Sequence, residues 1–183
     1  SAPGGANGRF VRLERLDNNY WLTFAEFEVI GSLSPVSFTE TNNLAAGKPV
    51  TTSSLPGFGA LITSGNDSNI NADFYDPAHS VYHSTDFGVG EYWRVDLGAT
   101  QILDSAELFA RSDGYPTSQF KVSVLDDALN VVGSTIVNNA APTDANPGYD
   151  HTIDLSGMAG RYVQVETTQA QYLSFAELRV FGA

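Results

Sequence analysis

Residues 160–182 read GRYVQVETTQAQYLSFAELRVFG: alternating apolar positions (Tyr162, Val163, Val165), a polar turn, then a second alternating run. Apolar side chains at every second position are the period of a half-buried strand, so the segment predicts two strands and a turn. Residues 8–31, GRFVRLERLDNNYWLTFAEFEVIG, repeat it with one residue of gap, matching Arg9 to Arg161, Phe24 to Phe175 and Glu26 to Glu177. The chain between the copies holds only one further set of strand-like runs, so the repeat does not make two equal domains. We expect an N-terminal strand pair and linker over 1–40, with the linker rich in Ser, Thr and Asn, and one principal domain over 41–183.

Working outward, the runs LAAGKPVTTSS (44–54), YWRVDLGA (92–99), ILDSAELFAR (102–111), FKVSVLD (120–126), VVGSTIV (131–137) and YDHTIDL (149–155) are short, β-like and bounded by Gly, Asn, Asp and Pro. No long helical period interrupts them, which predicts an all-β sandwich. Residues 56–90 differ: they are polar, rich in Asn, Asp, His and Gly, and unpatterned. A long irregular stretch inside a domain carries function or needs an ion to hold it.

Apolar residues make up 42% of the chain and charged ones 16%, the balance of a globular protein. The net charge of −12, with nine Lys and Arg, disfavours nucleic acid and anionic membrane as partners. No apolar run reaches the ~20 residues of a membrane-spanning helix. The absence of cysteine removes disulfides and thiol chemistry.

Three constellations carry chemistry. Asp67-Ser68-Asn69-Ile70-Asn71-Ala72-Asp73 puts oxygen side chains at every second position, which suits either a hard cation such as Ca²⁺ or a series of Asx turns. An EF-hand is excluded, because its Gly and Glu positions are Ala72 and Ala78. His79 and His83 are spaced i, i+4, yet the residue after His79 is Ser80 where a zinc metalloprotease motif needs Glu. Arg111-Ser112-Asp113 is either a turn ion pair or a guanidinium fork aimed at hydroxyls. Nothing assembles an acid, a base and a nucleophile, so we expect no enzyme.

From about Asn43 to the C-terminus the chain resembles the coagulation factor 5/8 type C, or discoidin-like, domains. It is most similar to fucose-binding F-type lectins and related bacterial carbohydrate-binding modules. The carriers are NLAAGKPVTTSS, DSN followed by SVYHS, EYWRVDLGA, LFARSDG, FKVSVLD and GRYVQV…LSFAELRVFG. The resemblance implies a galactose-binding-domain-like jelly roll with a structural calcium beside a sugar site. It places the ion on Asp67, Ser80, Glu177 and the carbonyls of Ser64, Asn69 and Ala176. It places the sugar on His83 and Arg111 with Asp113, and Tyr82, Phe87 and Tyr115 are candidates for an apolar face. A second Arg of the lectin pattern has no counterpart near Pro116-Thr117-Ser118. The implied function is a secreted or cell-surface glycan-binding module, fucose favoured, in the company of a parent enzyme or neighbouring domain. A discoidin-like protein- or surface-adhesion domain is the alternative.

Overall fold

Trp93, Val95 and Leu97 are buried with half-buried Tyr92, Arg94 and Asp96 between them, as the YWRVDLG alternation predicts. The computed structural model describes residues 42–113, 117–138 and 150–182. The strand pair expected over 1–40, and Tyr115, lie outside them. The strands are β1 (Val50–Thr52), β2 (Tyr82–His83), β3 (Tyr92–Ala110), β4 (Gln119–Leu125), β5 (Val131–Asn138), β6 (Asp150–Asp154), β7 (Ala159–Thr167) and β8 (Ser174–Gly182). Every pairing is antiparallel.

Two of the expected runs, 92–99 and 102–111, form one strand of 19 residues. Gly98, at φ +92°, lets the chain bend there, and the pairing register slips between Asp96 and Gln101. Before the bend β3 lies between β1 and β7; beyond Ile102 it pairs with β8 and then also with β6. One set of pairings runs β1-β3-β7-β4-β5, the other β2-β8-β3-β6. Their apolar faces meet in a core of Trp93, Val95, Phe120, Val122, Val163 and Val165 with Leu108, Ile153, Phe175, Leu178 and Val180. Each such side chain contributes about 1.5–3 kcal/mol by leaving water. This is the expected all-β jelly-roll sandwich.

The closing segment differs from the sequence expectation in one respect. β7 pairs with β3 and β4, whereas β8 pairs with β3 and β2, so the turn between them carries the chain from one sheet to the other. Alternation specifies which face a residue takes, not which strand lies beside it.

Residues 56–90 are largely irregular, as expected, but they are fastened to the core. A 3₁₀ turn, Ile62–Gly65, sits over β3 and β8, and Trp93 Nε1 donates to the Ile62 carbonyl at 3.0 Å. A Cβ on Gly65 would lie 2.8 Å from the Phe175 ring, so only glycine permits that approach. No helix of the described residues is long and apolar enough to cross a membrane.

Close packing also constrains Gly160, where β7 meets β4. A Cβ there would stand 2.4 Å from Val124 Cγ1 and 2.6 Å from the Leu125 carbonyl oxygen. Gly160→Ala is expected to cost about 1–3 kcal/mol, as overpacking does. The urea midpoint should fall with an unchanged m-value.

Candidate functional site

At Phe175 three strands stand abreast: Tyr82 of β2 on one side and Ala110 of β3 on the other. The next residues outward are His83, opposite Ser174, and Arg111, just past the end of β3. The sheet therefore sets His83 and Arg111 on either side of β8, at the same end of the sandwich. Both are buried.

His83 Nδ1 lies 2.7 Å from the Ser84 carbonyl oxygen. A carbonyl only accepts, so Nδ1 carries the proton, and the neutral ring offers Nε2 as an acceptor. Burial, the largest influence, holds the imidazole below its usual 6.5, and Arg111 pushes the same way. Around the ring stand Phe58, Tyr172 and Phe74, with centroids at 4.7, 4.9 and 5.3 Å. Phe58 and Phe87 are largely exposed, and Phe87 packs edge-on against Tyr172.

The Arg111 guanidinium is gripped along one edge by Asp113: Nε donates to Oδ1, and Nη2 to Oδ2 at 2.6 Å. Its carbon lies 3.9 Å from the Phe74 ring centroid. Asp113 thus orients the fork, and Phe74 supplies a cation–π floor.

Phe74 arrives by way of the Asp67–Asp73 segment, which folds as consecutive Asx turns. Asn69 N donates to Asp67 Oδ1, Asn71 N to Asn69 Oδ1, Asp73 N to Asn71 Oδ1, and Tyr75 N to Asp73 Oδ1. Ser112 N then donates to the Ala72 carbonyl at 2.9 Å, docking this ladder on the arginine turn.

The other end of the ladder faces β8. Phe175 pairs with Ala110 and Glu177 with Phe109, so Ala176 is the extra residue of a bulge. Glu177 is fully buried; Oε2 accepts from Ser68 N at 3.2 Å, and Oε1 has no partner. Burial and then the neighbouring Asp67 push its carboxyl up to about 8. Ser80 is also fully buried, and its hydroxyl has no partner. Ser64, in the 3₁₀ turn, donates to the His79 carbonyl beside Ser80 at 2.6 Å.

The fold thus brings Ser64, Asp67, Ser80, Ala176 and Glu177 to one flank of β8, with Asn69 two residues along the Asx ladder, and His83, Arg111, Asp113 and Phe87 to its end. Tyr82 does not belong there. It is fully buried against Phe175, with centroids 5.7 Å apart, because its partner in the sheet is a core residue. Its ring presents no surface, which corrects its candidacy for an apolar face. Phe58, Phe74 and Tyr172 hold the positions around His83 and were not anticipated. Tyr172 had a signal, since the N-terminal copy repeats it as Tyr20.

The family model described as a NedA-like, galactose-binding domain of F5/F8 type C matches residues 64–165. The lectin domain of lectinolysin, solved with Lewis B antigen, is 31% identical, with a TM-score of 0.65 over 78% of this chain and 98% of that one. A fucose binding module of Streptococcus pneumoniae is 28% identical, with a TM-score of 0.68 over 80% of this chain and 99% of that one. The uncharacterized Bacillus subtilis protein YlqB is 29% identical over 105 residues, and the match spans 60% of its length.

Glu177 makes metal-free stability depend on pH. An unfolded glutamate ionises near 4.5, whereas the folded one holds its proton to about 8. Its favourable contribution is therefore full below the lower value and lost as pH rises toward the higher one. Burial of His83 and His151, both held below 6.5, works the other way in the acid part of that window. The difference between the native chain and Glu177→Gln in EDTA isolates the carboxyl. The native melting temperature should drop relative to the variant between about pH 5 and 8.

Proposed function

The chain belongs to the F5/8 type C family of galactose-binding-like domains, and on that premise we propose that it is a non-catalytic carbohydrate-binding module. The carrying observation is the convergence of an acceptor imidazole, an oriented guanidinium and an aromatic collar at one end of the sandwich. A sugar ring offers that combination its counterparts: hydroxyls that donate to His83 Nε2, ring and hydroxyl oxygens that accept from Arg111, and an apolar face. Fucose is the favoured monosaccharide, because its methyl group fits against exposed Phe58 and neighbouring Tyr172. The lectin domain and the fucose binding module among the relatives support this reading. With this reading goes a secreted or cell-surface setting, in the company of a parent enzyme or a neighbouring domain.

The residues also fit a structural Ca²⁺. The donors are all oxygen, as a hard cation requires. Glu177 Oε1 and Ser80 Oγ are buried without partners, and an ionised Glu177 would repel Asp67 unless a positive charge lay between them. The bulge at Ala176 takes that residue out of the ladder's pairing. Asp67, Ser80 and Glu177, with the carbonyls of Ser64, Asn69 and Ala176, would hold the ion. Bound there, it would neutralise the acids and lock the Asx ladder, and hence Phe74 and Arg111, in place. The alternative, protein or surface adhesion through the same loops, predicts no response to free sugar.

The deciding measurement is a glycan array read with and without EDTA, followed by calorimetry. Binding to fucosylated glycans should be lost in EDTA and regained with Ca²⁺. Arg111→Ala should weaken it roughly 10–100-fold, the worth of a charged hydrogen bond. Phe58→Ala, at an exposed site, should weaken it without lowering the melting temperature. Silence toward every glycan at millimolar sugar would sink the proposal. Because the binding form of His83 is neutral, affinity measured with Ca²⁺ saturating should be flat from pH 8 to 6.5 and decline only below that.

A further inference from the structure

On the outward face of the first sheet the cross-strand grid brings two tyrosines and an arginine together. Arg94 of β3 lies between Thr51 of β1 and Gln164 of β7, and Asp96 lies opposite Tyr162. The Arg94 guanidinium stands 5.1 Å from the Tyr92 ring centroid and 5.6 Å from that of Tyr162, and its Nε donates to Thr51 Oγ1 at 3.3 Å. One hydrogen bond and two ring contacts thus restrain the fork. Among the described residues it has no carboxylate within ion-pair distance, although the chain carries 21 acids to nine bases. Lys121 and Arg161 on the same sheet face are both paired.

The groove beside it has a volume of about 200 Å³ and is lined by Pro49, Thr51, Arg94, Asp96, Leu129 and Tyr162. Asp96 does not repel an anion there. Arg161 donates to both its oxygens at 2.8 Å and Gly98 N to Oδ1, which neutralises the carboxylate and leaves Oδ2 able to accept from a hydroxyl. Leu129 overhangs from the β4–β5 turn at φ +65°, a left-handed conformation costly for a branched side chain. The turn is fixed in that shape by Asp126, which accepts from Ala128 N and Asn130 N, and by Asp127, which accepts from Arg161 and Thr100. The other described non-glycine residues at positive φ, Phe58, Ser68 and His79, all belong to the 56–80 loop around the first site.

We infer that this groove is a second ligand site, for a pyranose bearing a carboxylate, such as a uronic acid residue of a glycan. The carboxylate pairs with Arg94, a ring hydroxyl donates to Asp96, and the C–H face of the ring rests on Leu129 and Pro49. A volume below the ~300–1,000 Å³ of drug-sized pockets suits one sugar residue.

The test is calorimetry of the full chain at low salt with methyl β-glucuronide, methyl β-glucoside and sodium acetate. The glucuronide should bind, the glucoside should not, and acetate at equal concentration should not displace it. Arg94→Gln should weaken binding by about tenfold or more, as loss of a charged hydrogen bond does. Leu129→Gly relieves the backbone, so it should weaken glucuronide binding while the melting temperature holds or rises. EDTA and Arg111→Ala, which strike the first site, should leave it unchanged. No heat with the glucuronide, equal binding of the glucoside, full displacement by acetate, or loss of binding in EDTA would each overturn the inference. None of these outcomes bears on fucose binding at the loops.

Discussion

A glutamate sealed from water on a central strand, with an acidic neighbour and one oxygen unpartnered, is the constraint around which this molecule is arranged. Burying an ionised carboxylate without compensation costs several kcal/mol, so Glu177 demands either a proton or a cation. The backbone N–H of Ser68 meets one oxygen. Reaching it requires the loop to lie down on β8, and Ser68 adopts a left-handed backbone to do so. From there the Asx ladder has only one direction to run, and it ends with Phe74 beneath Arg111. The electrostatic demand of one core position thereby bears on a half-buried ring at the far end of a ladder of four Asx turns.

Much of this was legible in the residues, and the limits have physical reasons. Trp93, Val95 and Leu97 announced a half-buried strand, because a pleated backbone sends alternate side chains to opposite faces. The same rule is silent about neighbours, so β3 read as two strands and β7 with β8 as a paired unit. The dyad spacing from Asp67 to Asp73 was read either as cation ligands or as Asx turns. The turns are present, and they leave the outer carboxylate oxygens of the acids for other use. Tyr82 was misplaced because a two-residue strand is too short to show a period; only its opposition to Phe175 turns it inward. Phe58 and Phe74 gave no pattern at all, since their positions depend on loop hydrogen bonds rather than on alternation.

The positive charges follow a similar economy. Arg161 bridges Asp96 and Asp127, tying the β4–β5 turn to β3 and β7. Asp96 is held below the ordinary carboxylate range chiefly by that hydrogen-bonded arginine. Such half-exposed pairs add little to stability in water. Their service is geometric: they fix which side chains the outer sheet face presents.

The long bent strand has a consequence for how the protein comes into being. β3 hydrogen-bonds to β1, β6, β7 and β8, partners that span residues 50 to 182. A nascent chain emerging from the ribosome therefore carries Val95 and Leu108 without the β7 and β8 side chains that complete their burial. Non-local pairing of this kind is slow, and it leaves apolar surface exposed in the meantime. The strand that unites the two sheets thus couples their assembly: the first is not complete until β7 has been made, nor the second until β8 has.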